Sequence, residues 1–365
     1  MNKTILIFMY VSCLFVHGCN RSTVHAISAA AGKSANDHIR HTIRRPASLG
    51  IAGDTTDVNK KVDAGTVLMG GGTDVRAAFK WMIERSGGGD VVIIRASGTD
   101  AYNAFVNGLG KVNSVETLNI NSRELANNDT VASVIRNAEM LFIAGGDQSN
   151  YIKYWKGTKT QDAINYLLNE KKAPVGGTSA GCAILSGFYY SGENGSATSA
   201  EALQNPYTNT VTLYNNDFLH VPDLQLVITD QHFLTRNREG RSLVFLGRIF
   251  KDWNIPAKAI AVDERTAVCI DKDGKATVLG DELATRPSSY AYYIKADPAK
   301  PPEQVEANKT MQWNKDQKAL AVYEIQAAVH GGGHFNVRSF DIAEAKGGKS
   351  YWWWTNDATV NKKEQ

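Results

Sequence analysis

Cysteine is scarce: the 365 residues hold four, at Cys13, Cys19, Cys182 and Cys269, and no two of them form a C-x-x-C pair. No structural zinc site of that kind is available, and the apolar surroundings of Cys182 and Cys269 predict two buried free thiols rather than a disulfide. An excess of charge of one sign is also lacking, with 40 basic against 37 acidic residues, so composition gives no basis for binding nucleic acid or a membrane surface. The apolar run from Ile5 to Val16 is too short to span a bilayer. Its length suits the h-region of an export signal instead, with Lys3 before it and Val16-His17-Gly18-Cys19 at its end.

That end resembles a bacterial lipoprotein signal in which Cys19 becomes the lipidated first residue; ordinary cleavage further on, for example after Ala26, is the alternative. The expectation is an exported protein, periplasmic or at the cell surface, anchored through Cys19. The chain divides into a signal over residues 1–19, a polar tether over 20–63, a catalytic-sized body over 64–345 and a tail over 346–365.

What the chain has is glycine at strand ends. Short apolar runs at Thr66 to Met69, Val91 to Ile94, Val115 to Ile120 and Leu141 to Ala144 alternate with helical segments at Val75 to Arg85 and Val131 to Ala138. This order predicts an α/β fold with a mostly parallel sheet sandwiched by helices. Ligands bind such sheets at the carboxyl ends of the strands, so the ends near Gly71, Gly145 and Gly177 are candidates for one cleft. Beyond Ile260, strands in quick succession, with Asp273-Gly274 as a hairpin turn, predict an antiparallel extension of the same domain. The Trp352-Trp353-Trp354 run is expected to pack back on the body.

The segment Pro174 to Gly187 carries Gly177-Thr178-Ser179-Ala180-Gly181, which fits G-x-S-x-G, the sharp strand-to-helix turn that lifts a serine hydroxyl clear of the backbone. Ala183-Ile184-Leu185 reads as the opening of the helix that follows. A serine nucleophile needs a base. Of eight histidines, His232 alone follows an apolar strand, Leu226 to Thr229, at what would be its carboxyl end; His220 reads as structural, and His330 and His334 flank three glycines in a loop. Arg236, Arg238 and Arg241 stand just after His232, and three cations at a helix start call for anionic partners, so they form a receptor for an acidic group, with Gln148 as an orienting amide. For the third member of a triad, Glu264 leads and Asp263 is second; spacing does not separate them.

Taken together, Gly70 to Asp74, Gly145 to Gln148, Gly176 to Gly181, Asp230 to Phe233 with its arginines, and Val262 to Ala267 resemble the cyanophycinase family of serine peptidases, over about Thr66 to Leu279. The resemblance implies a class I glutamine-amidotransferase-like (flavodoxin-like) fold and a Ser179, His232, Glu264 arrangement. It also implies an oxyanion hole from Ala180 and Gly146 and a pocket of Gln148, Asp230, Gln231, Arg236, Arg238 and Arg241; the residues themselves give no expectation of a metal or a cofactor. The substrate it implies is cyanophycin, a poly-aspartate with arginine side groups, cut at β-aspartyl bonds to β-Asp-Arg dipeptides. The partner is then an acidic peptide or polymer, with no nucleic acid, membrane contact only through Cys19, and a homodimer left open. The segment from Tyr189 to His220 is long enough to form a lid or rim beside the site. Two other readings use the same residues: an acidic-peptide-binding lipoprotein without catalysis, and an amidotransferase-type glutaminase, which normally has Cys where this chain has Ser179.

Overall fold

The computed structural model describes residues 45–281 and 289–365. The signal segment 1–19, Cys19 and the part of the lead-in before residue 45 lie outside the described residues. The first sheet is built around β1 (Ser48–Gly53), β2 (Gly65–Met69), β3 (Asp90–Arg95), β4 (Ser114–Asn119), β5 (Met140–Ile143) and β6 (Val175–Thr178). Between and after these strands run α1 (Arg76–Arg85), α2 (Ala101–Asn107), α3 (Arg123–Ala126), α4 (Asp129–Asn137), α5 (Gln148–Trp155), α6 (Lys159–Tyr166) and α7 (Ala180–Ala183). The middle and C-terminal parts add β7 (Phe188–Tyr190), α8 (Ser199–Gln204), β8 (Leu213–Asn215), β9 (Val227–Gln231), α9 (Glu239–Trp253) and β10 (Lys258–Val262). After them come β11 (Thr266–Asp271), β12 (Lys275–Gly280), β13 (Tyr290–Ala296), β14 (Leu320–Gln326), β15 (His334–Asn336), β16 (Gly348–Asn356) and β17 (Thr359–Glu364).

Among the described residues the strands form two sheets, in the orders β1-β4-β3-β5-β6-β2-β11-β12-β15 and β17-β16-β14-β13-β10-β9-β7-β8. The first has the expected parallel centre, β4-β3-β5-β6-β2, closed by antiparallel strands on both sides. Side chains along a strand alternate between faces, and the apolar runs sort accordingly. Val67, Met69, Val91, Ile93, Met140 and Phe142 pack with α1 and α2 on one face. Leu68, Val92, Ile94, Leu141 and Ile143 point to the other, where α4 to α6 cover one part and the second sheet covers the rest through Ile260, Val262 and Tyr293. The second sheet's far face takes α8 and α9 through Ile228, Ala259, Ala261, Tyr292 and Ile294.

Two sequence expectations change, on the lead-in and on the helix after the elbow, and two hold. The antiparallel strands expected after Ile260 are present and divide between the sheets: β11, β12 and β15 join the first, whereas β13, β14, β16 and β17 build the second with β9 and β10. The lead-in is not irregular throughout, because Ser48–Gly53 pairs antiparallel with β4 and supplies an edge. The tail after residue 345 packs back on the body as expected: β16 and β17 pair with it through β14, and Trp353 is buried. The helix after the elbow is a single turn, with Ile184 already its C-cap, because Gly187 and Phe188 turn the chain into β7 of the other sheet. The described cysteines, Cys182 and Cys269, are buried free thiols.

Candidate active site

Ser179 stands where β6 passes into α7, with φ 51° and ψ −115°. This is a costly conformation for a residue with a Cβ, and it persists only where neighbours fix it. Here Ser179 N–H donates to Met69 O at 3.1 Å and Ala183 N–H donates to Ser179 O at 3.0 Å. The flanking glycines permit the turn by close approach: a Cβ on Gly181 would fall 2.2 Å from Ile143 O, and one on Gly177 2.6 Å from the Gly181 backbone.

The hydroxyl that this turn presents meets His232 of the other sheet. Ser179 Oγ lies 2.7 Å from His232 Nε2, and His232 Nδ1 lies 2.7 Å from Glu264 Oε1. An ionised carboxylate only accepts, so Nδ1 carries the proton toward Glu264 and Nε2 is left to accept from the serine. Burial pushes the imidazole below its ordinary value; the Glu264 hydrogen bond opposes this, and the Arg236 and Arg238 charges add to it. At neutral pH the ring is therefore the neutral acceptor that deprotonation of a serine requires. Glu264, rather than Asp263, occupies the third position. Asp263 is fully buried and instead accepts from Thr235 N–H at 3.1 Å and Thr235 Oγ at 2.9 Å.

His232 follows β9 and Glu264 follows β10, which are parallel neighbours in the second sheet, so their carboxyl ends emerge side by side. The first sheet supplies the seat. His232 N–H donates to Gly70 O at 2.8 Å, Arg265 N–H donates to Gly71 O at 3.0 Å, and the strip after β2 runs under both side chains. Sequence reading singled out Gly70-Gly71-Gly72 as a strand end without finding this use.

Ser179 and His232 open into a cleft of about 250 Å³ that Gly146, Asp147, Gln148, Tyr190, Gly192, Gly195, Ser196, Gln231, Arg236, Arg238 and Arg241 complete. Three wider clefts, of about 430, 680 and 520 Å³, lie elsewhere among the described residues and none is lined by a serine–histidine pair. Ala180 is the first residue of α7, where a helix leaves N–H groups free, and Gly146 lines the same cleft as Ser179. Tyr190, Gly192, Gly195 and Ser196 were not assigned to the pocket from the sequence; they belong to the segment read there as a lid or rim.

The expected arginine pocket divides. Arg241 is 1% exposed and forks onto Asp230, its Nη2 on Oδ1 and its Nε 3.0 Å from Oδ2, while Ser242 Oγ donates to Oδ2 at 2.6 Å. Burial pushes the Asp230 carboxyl up, but the Arg241 charge and hydrogen bonds, together with Arg238, outweigh it and leave it below the usual range. Asp230 does not line the cleft, so its place is beneath the pocket rather than against a substrate. Arg238 Nη1 donates to Gln231 O at 2.6 Å, and burial lowers its pKa to about 10. Arg236 is exposed. The anionic partner that three cations at a helix start demanded is thus internal for two of them, since Asp230 pairs with Arg241 and, at 3.8 Å, with Arg238; Arg236 is the guanidinium without a carboxylate partner among the described residues. Among the described residues there is no group of three or more His, Cys, Asp or Glu able to hold a metal.

A strained serine at a strand-to-helix turn, bonded to a histidine that a glutamate orients, defines the class: an α/β protein with the site of a serine-type hydrolase. The model of Peptidase family S51 matches residues 67–278, and the chain belongs to that family. It is 27% identical over 171 residues to a cyanophycinase of Trichormus variabilis, covering 47% of this chain and 52% of that protein. To cyanophycinases of Geminocystis herdmanii and Synechococcus elongatus it is 25% and 29% identical over 233 and 195 residues, covering 60% and 52% of this chain and 79% and 55% of theirs. The chain thus spans about half the length of most of the curated relatives it matches. Similar solved structures are a peptidase from an acI-B1 actinobacterium (17% identity, TM-score 0.43, 63% of this chain and 94% of that one) and a putative peptidase E protein from Listeria monocytogenes (18%, 0.41, 60% and 100%).

Proposed function

We propose that the protein is an exported serine exopeptidase that hydrolyses β-aspartyl peptide bonds, with cyanophycin as the substrate that its relatives' name suggests. The observation that carries the reading is the unbroken relay from Ser179 Oγ through His232 to Glu264, opening on a cleft lined by Arg236 and Arg238. Ser179 attacks the β-aspartyl carbonyl while His232 Nε2 takes its proton; the tetrahedral oxyanion is met by the N–H groups of Ala180 and Gly146. His232 then returns the proton to the leaving amine, and water repeats the sequence on the acyl-enzyme. Glu264 keeps the tautomer and stabilises the imidazolium. Arg236 and Arg238, with the Gln148 amide and Gln231, hold the substrate's free carboxylate; Asp230 and Arg241 form the buried strut beneath them.

Export rests on Lys3, the Ile5 to Val16 run and Cys19, and predicts a lipid anchor at Cys19, which labelled-palmitate incorporation in the wild type and its loss in Cys19→Ser test. For the activity, purified protein is incubated with cyanophycin and with a panel of α- and β-aspartyl dipeptides, and products are read by mass spectrometry. Release of β-Asp-Arg by wild type and none by Ser179→Ala is the expected result. A Ser179-dependent cleavage of other aspartyl peptides alone would reassign the specificity within the same chemistry. Binding of acidic peptides with no product and no fluorophosphonate labelling of Ser179 would overturn catalysis.

A further inference from the structure

One wall of the cleft is formed by a loop, Ser191–Ala197, between β7 and α8. Three of its residues, Gly192, Gly195 and Ser196, line the cleft, and two of these are exposed, so the loop has little burial of its own to hold it. Its outer edge is tied through side chains: Tyr214 OH donates to Glu193 Oε1 at 2.9 Å and Asn194 Nδ2 donates to Thr212 Oγ1 at 3.1 Å. Its far end is fixed by α8, where Thr198 and Glu201 form a capping box.

The edge that faces the cleft depends on one side chain. Tyr190, 3% exposed, donates its hydroxyl proton to Gly195 O at 2.6 Å and accepts from Ala197 N–H at 2.9 Å. Its ring stacks on Phe245 with centroids 5.0 Å apart, and the Arg241 guanidinium lies 5.0 Å from the same ring. Arg241 also reaches Ala197 O at 3.5 Å. The tyrosine is therefore held on one side by the helix that carries the Asp230–Arg241 strut and holds the loop on the other. Tyr190 O accepts in turn from Gln148 Nε2 at 3.5 Å, on the opposite wall.

From these contacts we infer that Tyr190 is a positioning residue for substrate specificity: its hydroxyl pins the Gly192–Ala197 rim at the height that sets the end of the pocket above Arg238. The inference rests on the peptidase reading for its substrate, but not for its geometry. Removing only the hydroxyl leaves the ring, its stacking and the Arg241 contact, and frees the Gly195 carbonyl and the Ala197 amide.

In the full-length protein, Tyr190→Phe raises KM for a β-aspartyl dipeptide about three- to tenfold with kcat and the rate of fluorophosphonate labelling of Ser179 unchanged, as expected when a pocket wall must be ordered on binding. A KM within twofold of wild type, or a fall in kcat at constant KM, overturns the inference. Hydrogen exchange on wild-type protein reads it independently of whether the variant folds: the Ala197 amide is protected if the tyrosine pins it, and fast exchange there overturns it. Absence of turnover and labelling in wild type would be a failure of the peptidase reading instead, and would leave the exchange result to decide the role of Tyr190.

Discussion

Gly71 lies flat against the His232 imidazole: a Cβ built on it would stand 2.3 Å from Cε1 and 2.5 Å from Nε2. Its φ of +102° is also one that side-chain-bearing residues rarely adopt. The end of β2 is therefore a steric seat for the base, supplied by one sheet to a residue of the other. Gly71→Ala is expected to push the ring away from Ser179 Oγ and lower kcat/KM by about 10²-fold or more, since misplacement of about 1 Å costs that much. Steady-state kinetics, with circular dichroism to verify folding, measure it.

Glu264→Gln keeps the shape and removes the charge that fixes the imidazole tautomer. A fall in kcat of the order of 10²–10⁴ is expected, with KM little changed. Asp263→Asn, by contrast, alters the buried partner of Thr235 and touches neither Ser179 nor His232 directly. Its effect is expected in the thermal midpoint, and the ratio of the two variants' kcat values separates the neighbouring acids.

The pH profile follows from the direction of the His232 shift. Its pKa is lowered by burial and by Arg236 and Arg238 against the Glu264 hydrogen bond, so the neutral ring persists below the ordinary value near 6.5. The acid limb of kcat/KM is expected below that value, with a plateau through neutral pH. Arg236→Gln removes one repelling charge and shifts the limb upward. Because Arg236 is exposed, added salt shifts the wild-type limb in the same direction.

Asp230 and Arg241 are expected to report on stability more than on binding. Asp230→Asn leaves the Arg241 guanidinium buried without its counter-charge, a loss of about 3–5 kcal/mol by the behaviour of broken buried pairs. Replacing both by apolar residues of similar volume is expected to recover much of it. The depressed carboxyl pKa gives the sign with pH: the pair's stabilisation is present above the ordinary Asp value and is lost as pH falls through the lowered one. Arg236→Ala is expected to weaken acidic-peptide binding with no such loss. Denaturant unfolding and isothermal calorimetry on the three variants distinguish the roles.

Much of this arrangement was legible in the sequence because it is local. Alternation of apolar residues marked the strands, the G-x-S-x-G spacing marked the elbow, and a histidine three residues after an apolar run marked a strand end; Glu264 and Asp263 both followed another. What spacing did not carry was sheet membership. β9 and β10 read like any other buried strands, yet they belong to the second sheet, and the triad forms only because that sheet packs on a face of the first and bonds its strand ends to Gly70 and Gly71. The arginines show the same limit. Their clustering was visible at Arg236, Arg238 and Arg241, but which one faces solvent depends on the reach of Asp230 across the start of α9.

The sequence by itself therefore determined the parts: a parallel α/β centre, a strained nucleophile between two small residues, a base, two competing acids and a cluster of cations. Their division of labour was decided by the tertiary structure. Choosing Glu264 over Asp263, forking Arg241 onto Asp230 while leaving Arg236 exposed, and placing Tyr190 under the rim all depend on distances of a few ångströms between side chains and backbone that the fold brings together. Hydrogen bonds and steric exclusion act at that range, and no one-dimensional spacing encodes it.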